Sequence, residues 1–220
     1  MSTLKTGALR GTSGTADSIQ LHASDQSVTF PGNVTCSGTA TGFARTGRVI
    51  LEQFYSPCDG SVIATSGGNI TLPNVTALQD TSSDSYITAT GSEISYTPPT
   101  GATQVIYEYN ACWSGVDSSP LAHCKFYIDS DEVTSARTNM YDGDGDYDMG
   151  VRLFKWGINI GGTASTANGR LASWTSSKTL KLNFRRYNST LDVRLHSNRY
   201  WDGDLGPQFS KPCIGITAIG

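Results

Sequence analysis

Strict alternation of apolar and polar residues is the feature of this sequence that most constrains its fold. In the clearest segment, Val105, Tyr107 and Tyr109 are separated by Ile106 and Glu108, and the pattern continues to Ala111. Successive side chains of a β-strand point to opposite faces, so this spacing places one row in a core and the other outside. The segment therefore predicts a half-buried β-strand.

The same alternation recurs along the chain and predicts a series of antiparallel strands. Inward rows are expected at Cys124-Phe126-Ile128, Met149-Val151-Leu153, Leu180-Leu182-Phe184, Leu191-Val193-Leu195 (with His196 outward) and Ile214-Ile216-Ala218. Shorter strands are expected at 49–55, 61–65, 69–72, 85–89 and 93–97. The break at 186–190 is short enough for a hairpin loop between its flanking strands. Turn residues recur every eight to twelve positions or so, which is typical of a sandwich.

The composition supports an all-β fold. The chain has 24 Gly and 8 Pro among 220 residues, and only 16% of its residues are charged. Such a sequence has few strong helix formers, which excludes helical bundles, coiled coils and nucleotide-binding α/β domains. Aromatic residues make up 10% of the chain, enough to build a core. We predict an antiparallel β-sandwich of the jelly-roll kind.

The sequence divides near residue 45 into two parts of different character. Residues 1–45 contain no Trp or Tyr, and their apolar residues come in short groups separated by Gly and Pro-Gly. Groups of this size cannot close a core by themselves. We therefore predict a thin N-terminal β arm at 1–45, used for attachment or intertwining, and a sandwich domain at 46–220.

Charge and hydropathy exclude two classes of partner. The net charge is −3, and the nearest approach to a basic patch is Arg185-Arg186 with Arg194 and Arg199, which gives no footprint for a phosphate backbone. No uninterrupted apolar run reaches membrane-spanning length, and the first residues do not resemble a signal peptide. We expect no nucleic-acid binding, no membrane insertion and assembly in a cytoplasm, with free cysteine thiols.

One acidic segment is a candidate metal site. Asp142, Asp144, Asp146 and Asp148 alternate with Gly and Tyr, a spacing that would let carboxylates converge on Ca²⁺. The segment fails as an EF-hand, because Tyr147 occupies the position of the required Gly. The alternative is an acidic turn before a strand, and Asp202-Gly-Asp204 is a second such turn. We predict no cofactor and leave Ca²⁺ open.

Catalytic motifs are absent from the sequence. The three histidines, His22, His123 and His196, are scattered, and neither Gly-x-Ser-x-Gly nor His-Glu-x-x-His occurs. A carboxylate-only glycosidase stays open as a third alternative. Trp113 and Trp201 lie beside turns and are candidates for stacking on a sugar, the alternative being a place in the core or in a subunit interface. We therefore predict a protein that is not an enzyme.

The N-terminal part resembles a known group of proteins. Met1–Gly11, Ser18-Ile-Gln-Leu21 and Ser27-Val-Thr-Phe-Pro-Gly-Asn-Val-Thr-Cys-Ser-Gly38 resemble the first segment of tail-fibre-like and other virion structural proteins of tailed bacteriophages, particularly cyanophages. The remainder is similar in strand spacing to the trimeric jelly-roll heads of phage fibres, which are built like tumour-necrosis-factor and C1q domains. The chain lacks the coiled-coil or β-helical shaft of a long fibre.

The resemblance implies a virion protein that is anchored through residues 1–45 to other virion proteins. We expect a homotrimeric short fibre or spike with an exposed sandwich, which takes part in host attachment. The alternatives are a capsid decoration or cement protein and a lectin-like module that binds host surface polysaccharide.

Overall fold

The structure, a computed structural model, describes residues 48–81, 83–116, 120–141, 149–204 and 206–220, and three short strands nearer the N-terminus. The chain divides into two compact units, Met1–Thr46 and Gly47–Gly220. In the first unit, β1 (Ala8–Leu9), β2 (Ile19–Leu21) and β3 (Val28–Thr29) form an antiparallel sheet.

The second unit is built from β-strands, with one 3-10 turn, Thr166–Asn168, in its described part. The strands are β4 (Ile50–Pro57), β5 (Val62–Thr65), β6 (Gly68–Thr71), β7 (Gln79–Asp80), β8 (Ile87–Thr88), β9 (Ile94–Tyr96), β10 (Gln104–Gly115), β11 (Leu121–Ile128), β12 (Asp131–Tyr141), β13 (Met149–Ile160), β14 (Arg170–Leu171), β15 (Lys178–Arg186), β16 (Val193–Leu195), β17 (Ser197–Asn198), β18 (Gln208–Phe209) and β19 (Cys213–Ile219).

Two antiparallel sheets form the body of this unit. The first sheet runs in the order β4-β19-β10-β13, with β14 added in parallel at β13 and with β16 and β7 beside the end of β10. The second runs β12-β11-β15, and β8 and β9 both pair with β15. The hairpin β5-β6 and the pair β17-β18 lie outside these sheets.

The strand pairs are nested, which makes the sandwich a jelly roll. The first long strand, β4, pairs with the last, β19, while β9 pairs with β15, β10 with β13, and β11 with β12. This is the order of a ribbon of paired strands wrapped around a core, with each pair contributing its two strands to one sheet. The predicted all-β antiparallel sandwich is confirmed.

Aromatic side chains join the two sheets. The Tyr107 ring of the first sheet lies 5.1 Å from the Phe126 ring of the second, and Phe126 lies 5.3 Å from Phe154. Tyr107 also donates a hydrogen bond from its buried hydroxyl to the Ser92 carbonyl oxygen at 2.5 Å. The rows predicted to face inward on β10, β11, β15 and β19 are buried, as the alternation requires.

Two strand predictions are wrong, and one strand was missed. The residues before and after 186–190 do not form a hairpin, because β15 belongs to the second sheet and β16 to the first. The predicted inward row of β13 points outward: Val151 and Leu153 are 66% and 55% exposed, and Phe154 is buried instead. The long strand β12 was not predicted.

His196 is fully buried rather than outward. Strand β16 ends at Leu195, and His196 has φ +60°, a left-handed conformation that interrupts the alternation of side chains. Its imidazole therefore turns inward, on the same side as the buried Leu195 that precedes it.

Candidate functional site

The structure does not test the Ca²⁺ site predicted for the acidic segment. Asp142, Asp144, Asp146 and Asp148 lie outside the described residues. Within the described residues, no group of three or more His, Cys, Asp or Glu side chains is arranged to hold a metal ion. In the second acidic turn, Asp204 accepts hydrogen bonds from the Gly206 N–H at 2.8 Å and from the Gln208 amide, so local donors occupy both of its oxygens.

Trp113 is a core residue. Its side chain is 6% exposed, and its ring packs so closely on Gly150 that a Cβ there would meet ring atoms at 3.0 Å. The ring presents no face on which a ligand could stack. Of the two alternatives for Trp113, a position for stacking on a sugar and a place in the core, the structure supports the core, because β10 continues beyond the apolar row and carries Trp113 with it.

Trp201 is exposed at a tight turn. The Asp204 N–H donates to the Trp201 carbonyl oxygen at 3.0 Å, and the central residues Asp202 and Gly203 have φ +51° and +83°. Positive φ at both central positions is the type I′ geometry for which Asp-Gly is preferred. The Trp201 side chain is 66% exposed and Tyr200 beside it is 49% exposed. Trp201 stays a ligand-binding prediction.

The two described histidines have different surroundings. His196 is buried, while His123 is half-buried on β11, where its Nδ1 lies 3.4 Å from Arg185 Nη2. Burial and the Arg185 charge lower the pKa of His123. His22 lies outside the described residues.

The outer side of the first sheet is nearly neutral, and we call it the apolar face. It carries the outward residues of β4, β19, β10 and β13, among them Leu51, Tyr55, Ile106, Cys112, Val151, Leu153 and Cys213. On the four long strands of this face, the charged outward residues are Glu108 and Lys155, which pair with each other at 2.8 Å. At the edge of the face, β14 adds Arg170 beside Asn159, and Arg48 donates to the Gln104 side-chain oxygen at 3.1 Å. The Asn110 side-chain oxygen at its centre is buried without a hydrogen-bond partner.

The outer side of the second sheet is polar, and we call it the basic face. The residues that alternate with the core row are His123, Lys125 and Tyr127 on β11, opposite Arg185, Asn183 and Lys181 on β15. The two sides of the sandwich therefore differ strongly in charge, although both sheets share one core.

The arginines noted in the sequence divide by partner. Arg186 pairs with Asp84 at 2.8 Å and with Asp192 at 2.7 Å, and Arg194 pairs with Asp80 at 2.5 Å. Arg185 donates to the carbonyl oxygens of Arg186 and Tyr187. All three positions are arginine in the sequence. Only the fold shows that Arg186 and Arg194 lie against carboxylates, whereas Arg185 lies against main-chain carbonyl oxygens.

The described cysteines are free thiols, as expected, with Cys58 and Cys124 buried and Cys112 and Cys213 half-buried. No helix among the described residues is long and apolar enough to cross a membrane.

The comparisons with known proteins do not assign this chain to a family. No protein-family model matches the chain, and no curated protein matches it. One similar solved structure is that of infectious bursal disease virus Gx strain, at 10% identity and a TM-score of 0.22. The match covers 72% of this chain but only 45% of the viral chain.

Proposed function

We propose that this protein is a non-enzymatic virion surface protein, a short homotrimeric fibre or spike. Residues 1–45 attach it to other virion proteins, and the sandwich faces outward. The observation that carries the self-association is the contrast between the apolar face and the basic face. Contiguous exposed apolar surface on a sandwich favours burial against another molecule.

A second copy of the chain is the occupant that best suits the apolar face. Because Glu108 and Lys155 neutralise each other, the central part of the face carries no net charge toward an identical face. Val151 and Leu153 supply the exposed aliphatic surface, at 66% and 55% exposure. Obligate interfaces bury aliphatic and aromatic side chains, and this face exposes more of them than the basic face does.

Attachment to a virion is supported by the N-terminal segment, which resembles that of tailed-phage structural proteins. An arm without Trp or Tyr gains most of its stability when another chain covers it, so its folding is coupled to attachment. Deleting residues 1–40 should abolish incorporation into particles while the sandwich stays folded. Particles that still carry the truncated protein would refute the anchor. Immunogold labelling of intact particles separates a tail spike from a capsid decoration protein.

Light scattering behind size-exclusion chromatography tests the trimer. The wild-type chain should have about three times the 23.5 kDa monomer mass, both with and without EDTA. Val151→Asp should give a folded monomer, because it places a carboxylate on the apolar face. Val62→Asp is the matched control, since Val62 is 57% exposed, against 66% for Val151, and lies on the separate β5-β6 hairpin. A wild-type monomer, or a trimer unaffected by Val151→Asp, would contradict this interface.

Trp201 supports a second candidate function, recognition of host surface polysaccharide. Two neighbouring exposed aromatic rings, Tyr200 and Trp201, are presented by one tight turn, and such rings stack on the apolar faces of sugars. A glycan array with wild-type protein, Trp201→Ala and Trp201→Phe tests it. Binding that survives Trp201→Ala would remove this turn from the site.

A further inference from the structure

Four side chains form one row across the basic face. His123 on β11 pairs with Arg185 on β15 and with Asn139 on β12. Ile87 pairs with Phe184, so the preceding residue, Tyr86, extends the row beside Arg185. The row brings an aromatic ring, a guanidinium, an imidazole and an amide to one surface.

A groove opens along this row. It has a volume of about 400 Å³, and its lining includes Tyr86, His123, Lys125, Thr138 and Asn139. We call it the Tyr86 groove. The Lys125 ammonium lies 4.4 Å from the centre of the Tyr86 ring and the Arg185 guanidinium 5.4 Å from it, so two cations hold the ring in place. An irregularity in the β11-β12 register follows Cys124 and leaves Arg137 at the rim.

The groove has more positive than negative charge. Glu132 pairs with both Lys125, at 2.8 Å, and Arg137, at 2.5 Å. Arg185 has no carboxylate within 4.0 Å among the described residues, and its hydrogen bonds go to main-chain carbonyl oxygens and His123. Lys125 and Arg137 line the groove and share Glu132, while Arg185 lies beside the groove next to Tyr86. Three cations therefore stand against one carboxylate, in a chain whose net charge is −3. A local excess of this kind favours an anionic ligand.

We infer that the Tyr86 groove binds an acidic saccharide, a short run of sugar units bearing carboxylate or sulfate groups. The acidic group would meet the Arg185 guanidinium, which is suited to bidentate contacts with such anions. The Tyr86 ring lies under Lys125 and Arg185 and positions these two cations beside the groove. Thr138 and Asn139 offer hydrogen bonds to the hydroxyl groups of a sugar.

A saccharide suits this site better than a nucleic acid does. A phosphate backbone needs a long basic track, whereas the cations here are gathered around one short groove on a chain whose net charge is −3. The inference extends the receptor-binding part of the proposed function and rests on the basic face being outward. Binding is measured on the full chain in solution, so it is independent of trimer formation and of attachment to a particle.

Isothermal titration calorimetry tests the inference with four probes of similar length. These are tetragalacturonate, a sulfated galactan tetrasaccharide, neutral galactotetraose and a single-stranded tetranucleotide. We expect binding of one or both acidic saccharides, with the preferred one identifying carboxylate or sulfate as the recognised group. Equal binding of the neutral saccharide, stronger binding of the oligonucleotide, or no binding at all would overturn the proposal.

Variants then locate the site. Arg185→Gln and Tyr86→Leu should each weaken binding by about tenfold or more, while Tyr86→Phe keeps the ring and should bind like wild type. Arg170→Gln, on the distant strand β14, removes the same charge outside the groove and should have no effect. Glu132→Gln removes the competing carboxylate and should strengthen binding. Unchanged affinity in folded Arg185→Gln and Tyr86→Leu, checked by circular dichroism, would refute this placement.

Discussion

His196 Nε2 lies 2.8 Å from the Thr90 hydroxyl oxygen, and the imidazole is fully buried. The Thr90 hydroxyl also lies 2.9 Å from the Gln79 side-chain oxygen, to which it donates its only proton. His196 therefore donates from Nε2, and its Nδ1 is left without a hydrogen-bond partner. A proton on Nδ1 would create a buried cation with no acceptor, and burial lowers the pKa of His196 to about 4.

This relationship predicts loss of stability in mild acid. An unfolded histidine has its ordinary pKa near 6.5, above the folded value of about 4. Between these values the unfolded chain binds more protons, so the His196 contribution is complete above about pH 6.5 and is lost as the pH falls toward 4. The loss amounts to roughly 3 kcal/mol. Urea unfolding at several pH values measures it, and His196→Gln should flatten the dependence. If the free energy of unfolding changed equally with pH in both proteins, His196 would not be the group responsible.

The aromatic contacts between the sheets predict a large core effect. Phe126→Ala should lower the free energy of unfolding by about 3–5 kcal/mol, because it removes the ring that packs against both Tyr107 and Phe154. Phe209→Ala removes the same ring from a side chain that is 40% exposed, and its effect should be much smaller. Urea denaturation of the two variants compares them directly. Similar losses would show that Phe126 does not join the sheets.

Gly215 predicts a steric limit between β19 and β4. A Cβ at this position would meet the Tyr55 ring at 2.6 Å and the Phe54 carbonyl oxygen at 3.0 Å. Gly215→Ala should therefore destabilise the first sheet by about 1–3 kcal/mol. Gly157→Ala is the control on the same face, because its Cβ would meet only the flexible end of Gln104. Thermal unfolding measures both, and a neutral Gly215→Ala would contradict the close approach.

The rates at which the cysteine thiols are labelled test the proposed interface. Burial raises the pKa of Cys58 and of Cys124 to about 12, so neither should react with a thiol reagent at neutral pH until the chain unfolds. Cys112 and Cys213 lie on the apolar face and should be protected in the trimer but labelled in the Val151→Asp monomer. Mass spectrometry after timed labelling reads each site. Equal labelling in both forms would exclude burial of this face.

Alternation determined much of the fold. Where only one phase of a strand is apolar, as at Leu180, Leu182 and Phe184, period-two spacing identifies the buried row, and the structure buries it. In the first five residues of β13, Val151 and Leu153 share one phase and Arg152 lies in the other, so this short segment favours the wrong row. Further along the strand, Phe154, Trp156 and Ile158 belong to the phase that is buried or half-buried. Pairing with β10 determines which row of β13 is buried. It aligns Phe154 with Tyr109, a core residue, and leaves Leu153 opposite Asn110 on the apolar face.

Long-range pairing decided the rest. A short break such as 186–190 suggests a hairpin, yet the chain passes there from one sheet to the other, since β15 pairs with β11 and β16 with β10.

The turn at Trp201 was recognisable from Asp202-Gly203, because its geometry depends on adjacent residues. The Tyr86 groove was not recognisable, because Tyr86, His123 and Arg185 are far apart in sequence and meet only through strand register. The sequence by itself determined the strand type, the boundary near residue 45 and the tight turns, which depend on local conformational preference. The tertiary structure decided which faces are buried and which charges stay unpaired, because both depend on contacts between distant segments.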